Sequence, residues 1–432
     1  MKKKRVAFHT LGCKLNFAET SSISRSLPAD KFEKVSDEET DVDMHIINTC
    51  SVTETADKKC RQLIKHLIKV NPNAFIVVMG CYAQLNPAKI SSIKGVDLVL
   101  GTNEKFDIDK YIDSIEKKNN AEIHSCDLTE NNVFNQAWSI GDRTRSFLKV
   151  QDGCDYKCSY CTIPKARGNS RNPDIPSIIA EAEKIAQSGV KEVVITGVNI
   201  GDFGKSTGDK FYDLLKELVQ VDGIERYRIS SIEPNLLTDE IIQLAVDNEK
   251  ILPHFHIPLQ NGNNKILGMM RRRYRREVFA DKVLKVKEKM PLAGIGADVI
   301  VGFPGETEED FEECRLFIES LPLTYLHVFP FSERPGTPAA TFPNKVSPQE
   351  KDSRCKILTD VSKRKHHDFM LTNIGMKEKV LFEESNDDGM ITGFTSNYLR
   401  TELPWDDSLI GKIREVNIDK LSETGRLSVS LI

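Results

Sequence analysis

The sequence contains no apolar run of membrane-spanning length, which argues against a membrane-spanning protein. Its basic start, residues 1–5, is followed only by the short apolar run 6–8, which is too short for the core of a signal peptide. We therefore expect a cytoplasmic protein with no membrane partner.

The chain also lacks an excess of charge of either sign, since its formal net charge is −4 over 432 residues. No global positive field marks it as a nucleic-acid-binding protein, so any RNA contact must come from local basic patches. The length predicts two to four domains rather than one core. In a reducing compartment its ten cysteines are better interpreted as metal ligands than as disulfides.

The first hundred residues alternate between strand and helix patterns. Strands are predicted at 5–10, 44–48, 75–79 and 97–100, and helices at 16–27 and 53–70. Strands that alternate with helices imply a parallel, doubly wound sheet, so this region is assigned to the α/β class.

Three cysteines each follow one of these predicted strands, namely Cys13, Cys50 and Cys81. Ligands of an open α/β sheet bind beyond the carboxyl ends of its strands, so these thiols could converge in one crevice as metal ligands. Gly12 and Gly80 would let the backbone approach closely there. Because cysteine is often buried at strand ends, structural cysteines are the alternative. Four cysteines share no such pattern and are interpreted as structural: Cys60, Cys126, Cys314 and Cys355.

A second group, Cys154, Cys158 and Cys161, has the spacing CxxxCxxC in a loop that opens with Gly153 and closes with Pro164. Three thiolates at this spacing can hold three irons of a 4Fe–4S cluster, which leaves the fourth iron open to a small molecule. Ferredoxins, by contrast, use four cysteines per cluster. One helix face with three buried cysteines is an alternative. Zinc is another, but no cysteine or histidine lies close downstream to complete a tetrahedral set.

Two cysteine groups in this order resemble one family, the methylthiotransferases of the radical S-adenosylmethionine (SAM) superfamily. The resemblance spans nearly the whole chain. It implies a methylthiotransferase domain at 1–135, with an auxiliary 4Fe–4S cluster on the first group, and a radical SAM domain at 140–370, with a 4Fe–4S cluster on the second. Residues 371–432 resemble the small β-barrel of this family, the TRAM domain.

The strand and helix alternation resumes in the central region. Strands are predicted at 146–150, 192–196, 227–230, 255–258, 297–301 and 324–329, with helices between them such as 176–187 and 307–320. Six such units predict a partial (β/α)6 barrel, whose active site lies at the carboxyl ends of its strands.

Several residues at these strand ends are expected to bind SAM or substrate. Backbone contacts are assigned to Thr196, Gly197 and Val198, where most of the superfamily has Gly-Gly-Glu, and a ribose contact is assigned to Glu233. Three further assignments are packing of Tyr160 on the adenine, close approach of the adenine to Gly302, and polar contacts from His256 and Gln260. His256 could equally be a satisfied core histidine.

The resemblance also implies a two-stage reaction. One SAM methylates sulfur on the auxiliary cluster, and a second SAM is cleaved to a 5′-deoxyadenosyl radical that abstracts hydrogen from C2 of an adenine, where the methylthio group is delivered. The runs 196–204 and 228–234 resemble the branch that modifies N6-threonylcarbamoyladenosine next to the anticodon of tRNA. Isopentenyladenosine tRNA, a ribosomal-protein aspartate, or a non-catalytic iron–sulfur RNA-binding role are the alternatives. A low-potential electron donor and a sulfur donor are expected as partners, and the chain is expected to act as a monomer.

Contact with tRNA is assigned to a basic run in which a tyrosine lies among arginines, a composition suited to phosphate contact and base stacking. The run comprises Arg271, Arg272, Arg273, Tyr274, Arg275 and Arg276. Arg167 and Arg171, after the cysteine loop, and Lys58, Lys59 and Arg61 could extend the patch. Short strands at 379–383, 389–395, 398–402, 412–418 and 427–431 predict a small five-stranded C-terminal β-barrel. Because this barrel is acidic, it either contacts RNA through few phosphates or mainly packs on the core.

Overall fold

The computed structural model describes residues 2–112, 115–128, 133–141 and 143–432. Its strands are β1 (Lys4–Thr10), β2 (Phe32–Val35), β3 (Met44–Thr49), β4 (Phe75–Gly80), β5 (Leu98–Leu100), β6 (Glu122–His124), β7 (Ser146–Lys149), β8 (Glu192–Thr196), β9 (Arg226–Ile229), β10 (His254–His256), β11 (Gly294–Val301), β12 (Tyr325–Pro330), β13 (Lys377–Asp387), β14 (Met390–Thr395), β15 (Arg400–Pro404), β16 (Ile413–Leu421) and β17 (Leu427–Leu431).

The α-helices of the described residues are α1 (Lys14–Ser26), α2 (Glu54–Val70), α3 (Cys81–Leu85), α4 (Pro87–Ser91), α5 (Ile163–Arg167), α6 (Ile175–Gln187), α7 (Phe211–Leu218), α8 (Asp239–Asp247), α9 (Asn264–Met269), α10 (Arg276–Lys289), α11 (Glu308–Ser320) and α12 (Pro348–Asn373). Short 3-10 helices lie at Glu104–Tyr111, Ile200–Asp202, Pro338–Thr341 and Asp407–Leu409. No helix of these residues combines the length and the apolar character that a membrane crossing requires.

The N-terminal sheet has the strand order β2-β1-β3-β4-β5-β6, and every neighbouring pair is parallel. Every residue of β3 and β4 is buried, as expected when helices cover both faces of a parallel sheet. The predicted doubly wound sheet is thereby confirmed. Its edge strands β2 and β6 escaped prediction because both are short and largely exposed, and so lack an apolar run.

The central unit is built from two parallel sheets, with orders β7-β8-β9 and β10-β11-β12. Single parallel bridges join the two sheets, from Tyr227 in β9 to Ile251 before β10, and from Ser231 after β9 to His256 in β10. The six strands therefore follow one another around a shared apolar core. This arrangement confirms the predicted partial (β/α)6 barrel. Among the described residues β7 and β12 do not pair, so one side of the barrel is open.

The C-terminal strands form a closed barrel in the order β13-β14-β15-β17-β16, as predicted. It packs against the central unit through polar contacts as well as apolar ones. Arg226 donates to the carbonyl of Lys379 at 2.6 Å, and the amide of Asn397 donates to the carbonyl of Leu292 at 2.9 Å. The barrel therefore contacts the central unit, as one of the two roles left open for it requires.

Candidate active site

Cys13, Cys50 and Cys81 lie at the carboxyl ends of β1, β3 and β4, which are neighbours in the sheet. We refer to these three residues as the sheet trio. Gly12 takes a φ of +106°, and a Cβ there would lie 2.5 Å from Cβ of Cys50, so only glycine lets the two strand ends meet. The fold thus gathers cysteines that are far apart in sequence.

Two of the three thiols of the sheet trio are shielded from water. Cys13 is exposed, whereas Cys50 and Cys81 are buried. Burial raises the pKa of Cys50 to about 12 and also raises the pKa of Cys81. Such thiols stay protonated at neutral pH unless a metal replaces the proton, and metal binding then supplies the compensating charge.

Cys60, which shares no sequence pattern with the sheet trio, lies beside Cys50. Its sulfur is 3.5 Å from the carbonyl oxygen of Cys50, to which its thiol donates. This bond holds the Cys60 side chain against the backbone of Cys50.

Cys154, Cys158 and Cys161 line one loop between β7 and α5, and we refer to them as the loop trio. Each sulfur accepts a hydrogen bond from a nitrogen. The backbone N–H groups of Tyr156 and Ile163 donate to Cys154 and Cys161 at 3.4 Å each, and Arg272 donates to Cys158 at 3.1 Å. Donors aimed at sulfur are typical of cysteines that carry iron–sulfur clusters, where they tune the cluster potential.

The loop trio fits a metal cluster better than free thiols. Burial raises the pKa of Cys154 and of Cys161 to about 12, and it raises the pKa of Cys158 although Arg272 opposes the change. All ten cysteines are free of disulfides. Three converging thiols with N–H donors already in place suit iron ligands, whereas the helical alternative fails because residues 154–160 form a loop.

Arg272 links the loop trio to Glu233. Besides its bond to Cys158, its guanidinium forms an ion pair with the Glu233 carboxylate, and the Arg272 side chain is 4% exposed. Tyr274 is also buried, and its hydroxyl donates to the carbonyl of Pro258 at 2.7 Å. The assignment of Arg272 and Tyr274 to an RNA-binding surface is therefore wrong, because both side chains are buried and make their hydrogen bonds inside the barrel.

The basic run alternates between inside and outside. Arg271, Arg273 and Arg275 are exposed, while the residues between them point inward. Arg273 stacks on the ring of Tyr156 at 4.0 Å and donates to the carbonyl of Asp155. Only the three exposed arginines remain available for a phosphate backbone.

Arg167 and Arg171, also assigned to RNA, are interior residues. Both contact the carboxylate of Asp152, at 3.0 and 3.1 Å, and Arg167 contacts Glu19 of α1 at 2.9 Å. Lys105 and Lys149 complete this buried charge network around Glu19. The RNA assignment is wrong for both arginines, because opposite charges buried beside them require them inside the protein.

This network also joins the two trios. Arg167 donates to the side-chain oxygen of Asn16 at 2.7 Å. The amide of Asn16 donates in turn to the carbonyls of Leu11 and Thr49, at 2.8 and 3.1 Å, which hold the chain before Cys13 and Cys50. Sequence analysis missed Asn16 and Glu19, since polar residues in a predicted helix carry no signal of burial.

A second joint that sequence analysis missed lies next to Cys50. Arg334, after β12, donates to Ser51 and to Asp57 of α2 at 2.8 Å each, and its side chain is 6% exposed. Ser51 follows Cys50 directly. The barrel therefore fixes the sheet trio from a second direction.

The loop after β8 is held by Gln151. Its side-chain oxygen accepts from the backbone N–H groups of Val198 and Asn199, at 3.0 and 2.8 Å, and a Cβ on Gly197 would lie 2.9 Å from its carbonyl. Thr196 is buried, and its carbonyl accepts from Val150 at 2.9 Å. Of the backbone groups assigned to SAM, the Val198 N–H and the Thr196 carbonyl therefore already have partners within the protein.

The remaining predicted SAM-site residues differ in what surrounds them. Tyr160 packs edge-on against Phe303 at 6.4 Å, and Gln260 takes a φ of +63° with its backbone N–H bonded to Asp298. Gly302, where close approach of the adenine is expected, takes a φ of +70°, and a Cβ there would lie 2.4 Å from the Lys351 side chain of α12. The backbone conformation and this close approach together explain the glycine.

His256 is held by neighbours inside the barrel. Its Nε2 lies 3.0 Å from Asp298 and its Nδ1 lies 3.4 Å from the hydroxyl of Tyr325. His327, which sequence analysis did not single out, lies 3.2 Å from the same carboxylate oxygen. His256 is thus a hydrogen-bonded histidine that still borders a cavity.

Known families match two parts of the chain. Residues 5–101 match the family described as Uncharacterized protein family UPF0004, and residues 148–318 match the Radical SAM superfamily. The first match covers the sheet trio and the second covers the loop trio.

Characterised relatives match nearly the whole chain. The threonylcarbamoyladenosine tRNA methylthiotransferase MtaB of Bacillus subtilis is 40% identical over 423 residues, which cover 96% of this chain and 94% of that protein. The protein of the same name from Thermotoga maritima is 35% identical, covering 98% and 96%. The tRNA-2-methylthio-N(6)-dimethylallyladenosine synthase of Acetivibrio thermocellus is 31% identical, covering 100% and 92%.

Solved structures share the fold at low sequence identity. The radical SAM methyltransferase TsrM of Kitasatospora setae superposes with a TM-score of 0.56 at 15% identity, over 78% of this chain and 77% of that chain. The radical SAM enzyme OxsB superposes with a TM-score of 0.51 at 12% identity, over 85% and 56%. These likenesses concern the architecture alone.

Proposed function

The chain belongs to the methylthiotransferases of the radical SAM superfamily, and on this basis we propose that it is an enzyme that converts N6-threonylcarbamoyladenosine, next to the anticodon of tRNA, to its 2-methylthio derivative. The observation that carries the proposal is the pairing of two cysteine trios in one molecule, joined through Asn16 and Arg167. The relatives named for threonylcarbamoyladenosine support this substrate, since their identity exceeds that of the dimethylallyladenosine relative.

The proposal gives each trio its own cluster. Membership of the superfamily implies one 4Fe–4S cluster and SAM, and we assign them to the loop trio. We assign a second 4Fe–4S cluster to the sheet trio, supported by its three converging thiols and by the raised pKa of Cys50 and Cys81. When bound, the clusters and SAM supply a 5′-deoxyadenosyl radical and a methylated sulfur.

The protein's own residues bind, orient and exclude water. Arg272 holds Cys158 and Glu233 in fixed relation, which leaves the remaining acceptor positions of Glu233 to a SAM hydroxyl. Asn16 and Arg167 connect the segment before Cys50 to the helix that follows the loop trio, and so orient the two trios relative to each other. Exposed Arg271, Arg273 and Arg275 supply the phosphate contacts.

Mass spectrometry of tRNA nucleosides tests the proposal directly. The reconstituted protein is incubated without oxygen with SAM, a reductant and tRNA that carries threonylcarbamoyladenosine. We expect the 2-methylthio nucleoside together with 5′-deoxyadenosine. Cys355→Ala, which removes a cysteine outside both trios, serves as the matched control and should still form product.

Two results would separate the parts of the proposal. Accumulation of 5′-deoxyadenosine without methylthio product, in protein with both clusters loaded, would reject the substrate and retain the radical chemistry. Modification of tRNA carrying isopentenyladenosine in its place would assign the chain to the other tRNA branch.

A further inference from the structure

A cavity of about 250 Å³ lies where the three units of the molecule meet. Strands of the central barrel supply His256, Asp298 and His327, and the segment before β7 supplies Arg145. The first unit contributes Lys14 and the C-terminal barrel contributes Tyr398. We call this space the junction cavity. No single unit could form it alone.

Two residues that line the junction cavity lie close in sequence to residues of the cysteine sites. Lys14, which lines the cavity, directly follows Cys13 of the sheet trio. On the other side, Ser231 lines the cavity two residues before Glu233, which pairs with Arg272 at Cys158. A substituent bound in this cavity would therefore contact elements that also carry residues of the two cysteine sites.

The lining of the junction cavity is cationic. Lys14, Arg145 and Arg228 all line it, while its one carboxylate, Asp298, is engaged by His256 and His327. Both arginines also form ion pairs with acids that do not line the cavity. Arg228 pairs with Glu192 at 2.9 Å, and Arg145 pairs with Glu383 at 3.1 Å. Lys14 is exposed in the cavity, and among the described residues no carboxylate lies within ion-pair distance of it.

The pKa of Tyr398 shows the effect of these positive charges. Burial alone would raise its pKa, yet Arg145, Lys14 and Arg228 together lower the pKa of Tyr398 below its ordinary value. Arg228 stacks over its ring at 4.7 Å. Tyr398 also has a φ of +75°, a left-handed conformation that a tyrosine adopts only when its surroundings impose it.

A metal ion is a poor occupant. The ligand atoms of His256, Asp298 and His327 lie within 4.8 Å of one another, as a cation site would require. However, Lys14, Arg145 and Arg228 line the same cavity and would repel a divalent cation. The same charges favour an anion.

Resting on the function proposed above, we propose that the junction cavity binds the carboxylate-bearing substituent on N6 of the substrate adenosine, with Lys14 and Arg145 as the groups that recognise the carboxylate. Charge-assisted hydrogen bonds to a carboxylate are strong in a partly dry site. An isopentenyl group in the same place would remove water from three cations and return no hydrogen bond. Because N6 and C2 belong to one ring system, anchoring the substituent also fixes where C2 lies.

Binding of two RNAs that differ in one group tests this assignment. The first is an anticodon stem-loop with threonylcarbamoyladenosine, and the second has a carboxamide in place of the carboxylate. We expect the reconstituted wild-type protein to bind the carboxylate RNA about 10- to 100-fold more tightly, the range for hydrogen bonds to charged groups. Lys14→Met should reduce this preference to about 3-fold or less, and Lys14→Arg should restore most of it.

The controls keep protein integrity separate from recognition. Lys363→Met removes an exposed lysine of α12 and should keep the full preference. If Lys14→Met loses iron from the sheet trio, Arg145→Gln tests the same cavity from a residue in a different part of the chain. Equal binding of the two RNAs by the wild type, or a preference that survives both substitutions, would overturn the assignment. A preference that depends on Lys14 in a protein that forms no methylthio product would uphold the cavity and reject the proposed reaction.

Discussion

The loop trio comes from one stretch of chain between residues 154 and 161, whereas the sheet trio comes from three strand ends that span residues 13 to 81. The loop trio has its N–H donors built into its own loop and into Arg272. The sheet trio depends instead on strand order, on Gly12 and on Asn16. Local sequence therefore specifies one site, while the other exists only when the whole N-terminal unit is folded.

Removing one cysteine from each trio should separate the two chemical stages, and this is the largest effect we expect. Cys154→Ala should abolish SAM cleavage, because the loop trio then cannot hold its cluster. Cys50→Ala should leave some SAM cleavage and abolish methylthiolation. Parallel measurement of 5′-deoxyadenosine and of the methylthio nucleoside checks both. If Cys50→Ala still forms product, the sheet trio does not take part in the reaction.

Disrupting the buried charge network around Glu19, which joins the two trios, should destabilise the parts of the protein that carry both. Glu19→Gln leaves Lys105, Lys149 and Arg167 around an uncharged group, and breaking such a buried ion pair costs about 3–5 kcal/mol of stability. Thermal or denaturant unfolding of the reconstituted protein measures the loss. Glu423→Gln, at an exposed position, should change stability by less than about 0.5 kcal/mol. Equal stability of the two variants would mean that the network does not hold the units together.

A substitution at Gly12 should prevent the sheet trio from binding iron and leave iron binding by the loop trio unchanged. In Gly12→Ala the new Cβ would crowd Cβ of Cys50 at 2.5 Å, so we expect loss of about half the bound iron with SAM cleavage retained. Gly189→Ala is the matched control, since its φ of +83° imposes a similar backbone strain of about 1 kcal/mol in open space. Iron content after reconstitution distinguishes crowding from strain. Full iron in Gly12→Ala would show that the strand ends can separate without losing the site.

Acid should destabilise the N-terminal sheet, which carries the sheet trio, through a smaller effect. His9 of β1 and His45 of β3 lie 3.0 Å apart in the sheet. Burial lowers the pKa of His9, and burial with the neighbouring His9 lowers the pKa of His45 to about 4. An unfolded histidine titrates near pH 6.5, so below that pH the unfolded chain binds more protons and stability falls toward pH 4.

The size of this pH effect is bounded by about 1.4 kcal/mol per pH unit for each histidine. Unfolding midpoints between pH 7 and pH 5 measure it, and His45→Gln should flatten the dependence. His367→Gln, at an exposed position on α12, should leave it unchanged. A dependence that His45→Gln does not alter would assign the acid sensitivity to other groups.

The same contrast explains what could be predicted from the sequence. Buried strands and the local CxxxCxxC loop carry strong patterns, so the three architectures and the trios were predicted. The direction of each side chain within a charged run leaves no such pattern in the sequence. Arg272, Arg167 and Arg171 are therefore assigned to RNA from the sequence, although in the structure they neutralise buried acids. The partners that hold them, Glu19 and Asp152, lie far away in sequence or on another element. The junction cavity was missed for the same reason, because its walls come from all three units.

The central claim, that each trio holds its own cluster, is tested most directly by counting iron and acid-labile sulfide in three reconstituted proteins. These are the wild type and the two variants in which all three cysteines of one trio are replaced by alanine. The account predicts about eight irons per chain in the wild type and about four in each variant, since one 4Fe–4S cluster remains. A variant without Cys13, Cys50 and Cys81 that still holds about eight irons, or a wild type that never exceeds four, would contradict it.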